Sequence, residues 1–97
     1  MLIALEETEN ALSDYARERQ RLAQLERAAK ASQQASELAT QRFETGVSDF
    51  LTALDAYRVA IDADAQRAAS NARAATLLVA VFKSLGGGWQ PDPRPTR

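Results

Sequence analysis

The sequence predicts an all-α fold, a long antiparallel coiled-coil helical hairpin, on three observations. Apolar and small residues recur at spacings of three and four along residues 2–45, and do so again along 48–85. Between the two runs stands Gly46, with no other Gly and no Pro anywhere in the first 85 residues.

The first helix is expected over residues 2–45. Its seam is Leu22, Leu25, Ala29, Ser32, Ser36, Ala39 and Phe43, which keeps the heptad rhythm of a helix that faces a partner. Upstream, Leu5, Leu12 and Tyr15 extend that face less regularly, with polar Arg19 where an apolar residue is expected. Ala28, Ala31, Ala35 and Leu38 form a second stripe of mostly small residues.

The turn is expected at residues 46–48. Gly46 suits the left-handed position just past a helix, where a side chain is penalised. Ser48 is the expected N-cap of the second helix, with Asp49 favoured by the positive end of the helix dipole. A loop this short makes the two helices antiparallel neighbours.

The second helix is expected over 49–85, with its seam at Phe50, Leu54, Tyr57, Ile61, Asp64, Ala68, Ala72, Ala75, Val79 and Phe82. Asp64 is the polar interruption, and Ala65 beside it can substitute. At 1.5 Å per residue the helices would be roughly 65 and 55 Å long. Three glycines, 86–88, and the prolines at 91, 93 and 95 then predict an extended tail over 86–97.

Composition narrows the function. The 97 residues are 45% hydrophobic, but alanine supplies much of that, and aromatics are only 6%. Small seam residues bury little area each, so the hairpin is expected to be marginal alone and to rest on neighbours as one stave of a larger helical assembly. Twelve Lys and Arg against thirteen Asp and Glu, without like-charge runs, give no footprint for nucleic acid. No run is long and apolar enough for a transmembrane helix. The opening MLIALEETENAL lacks the basic start of a signal peptide, so if the chain belongs outside the cytoplasm its address has been lost or lies upstream, and a fragment of a longer protein is one expectation.

With neither His nor Cys, and no phosphate-binding or nucleophile motif, the chain is expected to be no enzyme and to carry no cofactor or metal. Among its many carboxylates, Asp55 and Asp62 share one helix stripe a heptad apart, and Arg58 lies three residues after Asp55. Spacing alone leaves two readings open. One is a surface ion pair, which contributes little. The other is a ring of carboxylates around a symmetry axis, which would attract cations to a pore mouth.

Two segments also carry a family resemblance. RFETGVSDFLTALDAYR supplies Arg42, Phe43, Gly46, Phe50, Leu51, Leu54, Asp55, Ala56 and Arg58, and VFKSLGGGW supplies Phe82, Lys83, Leu85, Gly86, Gly87, Gly88 and Trp89. Together with ALEETENAL near the start, they resemble the C-terminal part of TolC-like outer-membrane efflux proteins. Phe43 and Phe82 stand where the family often has Tyr.

The resemblance implies a hairpin in the periplasm, part of a homotrimeric tunnel reaching the outer membrane. It implies passive export of small molecules, with a periplasmic adaptor protein and an inner-membrane pump as partners. Thr45, Gly46, Val47 and Ser48 would form the adaptor-docking tip. Leu51 would plug the entrance, with Asp55 and Arg58 as polar constraints. The competing expectation is a soluble coiled-coil interaction protein or adaptor hairpin with no channel role.

Overall fold

The computed structural model describes residues 2–89 and holds two helices, α1 (Leu2–Glu44) and α2 (Phe50–Trp89). They pack side by side as an antiparallel hairpin measuring 69 × 26 × 13 Å. The seam of α1 is the expected one from Leu22 to Ala39, since Leu22 and Ser36 are buried and Leu25, Ala29, Ser32 and Ala39 are half-buried. Phe43, at the tip, is 42% exposed.

Toward the N-terminus the seam departs from expectation. It passes through Glu18, Tyr15, Ala11 and Thr8, the strict continuation of threes and fours back from Leu22, while Leu12 and Arg19 are exposed. The larger side chain at Leu12 suggested the other stripe, but the rhythm set by the well-packed half governs.

The correction on α2 is larger. The face turned to α1 is Ala53, Ala56, Ala60, Ala63, Arg67, Ser70, Ala74, Leu77, Val81 and Ser84, all buried or half-buried. The stripe expected there, Phe50, Tyr57, Ile61, Asp64, Ala68, Ala72, Ala75, Val79 and Phe82, is exposed, and only Leu54 on it is half-buried. The two stripes differ by one residue, about 100° around the helix. Between residues 53 and 63 the seam is all alanine, and small residues there let the two helix backbones approach closely; farther from the turn it takes in Arg67, Leu77 and Val81. Asp64 then lies outside the interface and pairs with Arg67 at 2.9 Å.

The second helix also ends later than expected. Residues 86–89 are helical, and the positive φ marking a helix stop occurs among the described residues at Gly46 alone. Glycine raises the cost of a helix by about 1 kcal/mol per residue relative to alanine, but unlike proline it keeps its N–H and clashes with nothing. The remainder of the expected tail, 90–97, lies outside the described residues.

Candidate functional site at the hairpin tip

The turn is built by α1's last residues. Gly46, at φ 80°, occupies the left-handed position after the helix. Its N–H donates to the Phe43 carbonyl at 3.0 Å, and the Val47 N–H donates to the Arg42 carbonyl at 2.8 Å. These two bonds constitute a Schellman motif, which satisfies carbonyls that a helix end leaves without partners. The Arg42 carbonyl accepts further from the Ser48 N–H at 3.2 Å and from the Thr45 hydroxyl at 3.1 Å.

Asp49, not Ser48, caps α2. Its carboxylate accepts from the Thr52 N–H at 3.0 Å, three residues into the helix, as an N-cap side chain does. That bond holds the Asp49 carboxyl below its ordinary value. Ser48 is drawn into the turn by its N–H bond to Arg42, so the connection occupies residues 45–49 rather than the three expected. Across its base the Phe43 and Phe50 rings meet at 5.6 Å between centroids, tilted by 58°. Behind them lies an open groove of about 290 Å³, lined by Thr40, Phe43, Glu44, Phe50, Leu54 and Tyr57.

The expected docking residues therefore form one rigid, hydrogen-bonded turn. Val47 stands at its apex, 73% exposed, an apolar side chain with nothing of its own chain to cover it. Thr45 and Gly46 are exposed and Ser48 is half-buried.

The expected entrance residues are also brought together. Leu51, Asp55 and Arg58 lie on one exposed stripe of α2, and Asp62 continues it. That stripe is two residues on from the seam, about 200° around the helix, so it points away from α1. Asp55 and Arg58 form no ion pair, and Asp62 instead accepts from Gln66 at 2.9 Å. Leu51 is 71% exposed.

Around α2 three stripes thus follow one another: the small seam toward α1, the large apolar stripe of Phe50, Tyr57 and Ile61, and the stripe of Leu51, Asp55 and Arg58. The sequence alone missed the Asp49 cap. Its signal was the Asp at the third position before Thr52, the geometry an N-cap carboxylate needs. Among the described residues no group of three or more carboxylates converges as a metal site, and no helix is long and apolar enough to cross a membrane.

A 63-residue stretch, 65% of the chain, is 41% identical to the pyoverdine export outer membrane protein OpmQ of Pseudomonas putida KT2440. The match spans only 13% of that relative's length. Searched against protein-family models the chain matches none, and no solved structure gives a significant match. The similarity is thus to a fraction of an outer-membrane export protein, one whose name describes transport and not catalysis.

Proposed function

We propose that this hairpin is a stave in the periplasmic tunnel of a trimeric outer-membrane efflux channel, exporting small molecules passively as part of a tripartite pump. The tip formed by Thr45, Gly46, Val47 and Ser48 docks a periplasmic adaptor, and an inner-membrane pump supplies the energy. Leu51, Asp55 and Arg58 lie at the tunnel entrance.

The observation that carries this reading is the exposed apolar stripe of α2. Phe50, Tyr57, Ile61, Val79 and Phe82 are each at least half exposed, while the buried apolar residues among those described are Leu22, Ala53, Ala74 and Val81. Toward the tip the hairpin packs α2 on itself through alanines, 53, 56, 60 and 63, and leaves Phe50, Tyr57 and Ile61 for another surface. Such a run along one helix face fits further helices packed beside it. The similarity to an outer-membrane export protein supports a channel as that assembly.

A chimaera tests it. The matching segment of the Pseudomonas putida relative is exchanged for the corresponding residues of this chain, and pyoverdine export is measured in cells lacking the native relative. Restored export is expected. A chimaera that reaches the outer membrane in normal amount yet exports nothing would contradict the reading.

A further inference from the structure

One face of the hairpin is a shallow valley between the helices. Grooves follow one another along its floor: Arg19 opposite Ala75 and Leu78, then Glu26 and Lys30 opposite Asp64, then Gln33 opposite Tyr57 and Ile61, and at the tip Thr40 opposite Phe50 and Leu54. The two banks differ in chemistry. The α2 bank is apolar at Phe50, Leu54, Tyr57, Leu78 and Phe82, and the α1 bank is charged at Arg19, Glu26, Lys30 and Glu37. Arg19 and Glu26 are exposed, and among the described residues neither enters an ion pair.

Unlike banks restrict how a second hairpin can lie on the first. With the tips together, the α2 bank of each copy covers the α1 bank of the other, which places Tyr57 and Ile61 over Glu26, Lys30 and Gln33 and desolvates charge against apolar surface. With the tips at opposite ends, a two-fold axis crosses the valley, and apolar bank meets apolar bank while charged meets charged. The level of that axis follows from the seam. The Ser70 hydroxyl donates to Glu18 Oε2 at 2.6 Å, so these two residues are level, and four residues on Leu22 is level with Gln66.

An axis at that level brings Phe50 of one copy to Phe82 of the other, Leu54 to Leu78, and bulky Tyr57 onto small Ala75. Asp64, nearest the axis, already has Arg67 at 2.9 Å. On the charged bank the same axis sets Arg19 against Glu26 of the second copy, and does so twice. A slide of one heptad either way sets Arg19 against Arg19 or Glu26 against Glu26, so charge selects one alignment. The contact runs roughly 48 Å from Phe50 to Phe82 and is about two helices wide, which covers on the order of 900 Å² per copy, the size of a standard stable interface.

We propose that this face binds a second copy of the chain, tips at opposite ends, in an antiparallel four-helix dimer closed by two Arg19–Glu26 pairs. This goes beyond the channel reading: in a channel other helices take the face, and in the 97-residue chain its own copy does.

Sedimentation equilibrium on the full chain tests it, together with one spin label at Glu6, which is exposed on α1, read by pulsed electron-spin distance measurement. A dimer is expected at micromolar concentration, with a label-to-label distance of about 50 Å; tips together would give under about 25 Å. Glu26→Arg is expected to weaken the dimer about tenfold at unchanged helicity, and Arg19→Glu combined with Glu26→Arg to restore it. A chain that stays monomeric at high micromolar concentration, a short label distance, or a charge exchange without recovery overturns the proposal. The chimaera's export reads the channel and sedimentation reads the chain alone, so the failure of one is distinct from the failure of the other.

Discussion

The two glycines whose surroundings are described should respond to alanine in opposite directions. At Gly46, φ is 80° and an added Cβ would meet no atom within 4 Å, so the whole penalty is backbone conformation. A left-handed L-residue costs roughly 1–2 kcal/mol, against which alanine returns about 0.4–1 kcal/mol by restricting the unfolded chain. Gly46→Ala should therefore destabilise by about 1 kcal/mol. Gly86 lies in regular helix, with no positive φ and again no atom within 4 Å of a new Cβ. Gly86→Ala should stabilise by up to about 1 kcal/mol, the helix-propensity difference alone. Thermal unfolding followed by far-ultraviolet circular dichroism reads both, and for a chain of this size 1 kcal/mol moves the midpoint by about 4–8 °C. Gly46→Asn should recover part of the loss, since Asn tolerates the left-handed region better. Midpoints that move the same way for Gly46→Ala and Gly86→Ala would refute the reasoning, because then either the turn conformation or the helical state at Gly86 would not be as described.

Further expectations follow from the tip and the seam. Asp49→Ala should fray the start of α2 and lower the unfolding midpoint, whereas Ser48→Ala should leave it nearly unchanged; an equal loss from both would remove Asp49 as the cap. The Ser70 hydrogen bond, with Arg73 and Arg21, holds the Glu18 carboxyl below its ordinary 4.5 despite burial, and the Thr52 bond holds Asp49 below 3.8. Because the folded values are the lower ones, their stabilisation is complete above about pH 4.5 and is lost as pH falls through those folded values. Glu18→Gln should flatten the acid limb of stability against pH, and an unaltered limb would remove Glu18 from it. In the chimaeric channel, Asp55→Ala should raise single-channel conductance and weaken cation preference in planar bilayers, whereas parental values would take Asp55 out of the entrance.

The hairpin was legible because one glycine between two helix-forming runs leaves few alternatives. The turn's location was legible too, since Gly46 is the natural residue for a left-handed φ. The facing surfaces were not fully legible. On α1 the rhythm from Leu22 to Ala39 has one clear stripe, and sequence and structure agree there. On α2 two adjacent stripes satisfy the same spacing; toward the turn one is large and apolar, Phe50, Leu54, Tyr57 and Ile61, and the other is alanine, and hydrophobicity alone prefers the large one. Close helix approach prefers the small one, a property of two surfaces together that a single stripe does not reveal. The same ambiguity placed Arg19 rather than Glu18 in the seam and so hid the contact with Ser70, fifty-two residues away. The placing of Asp55, Arg58 and Asp62 was visible from spacing and Leu51 came from the family resemblance, while the absence of a pair between Asp55 and Arg58 needed side-chain positions.

The central claim is that the large apolar stripe of α2 is covered by neighbouring helices of a channel while the Asp55 stripe stays open to water. Single cysteines at Ile61 and at Asp55 of the chimaeric channel, exposed in turn to a water-soluble maleimide in the assembled protein, test it most directly. The account predicts rapid labelling at Asp55→Cys and protection at Ile61→Cys that is lost on denaturation. Equal, rapid labelling at both positions would contradict it.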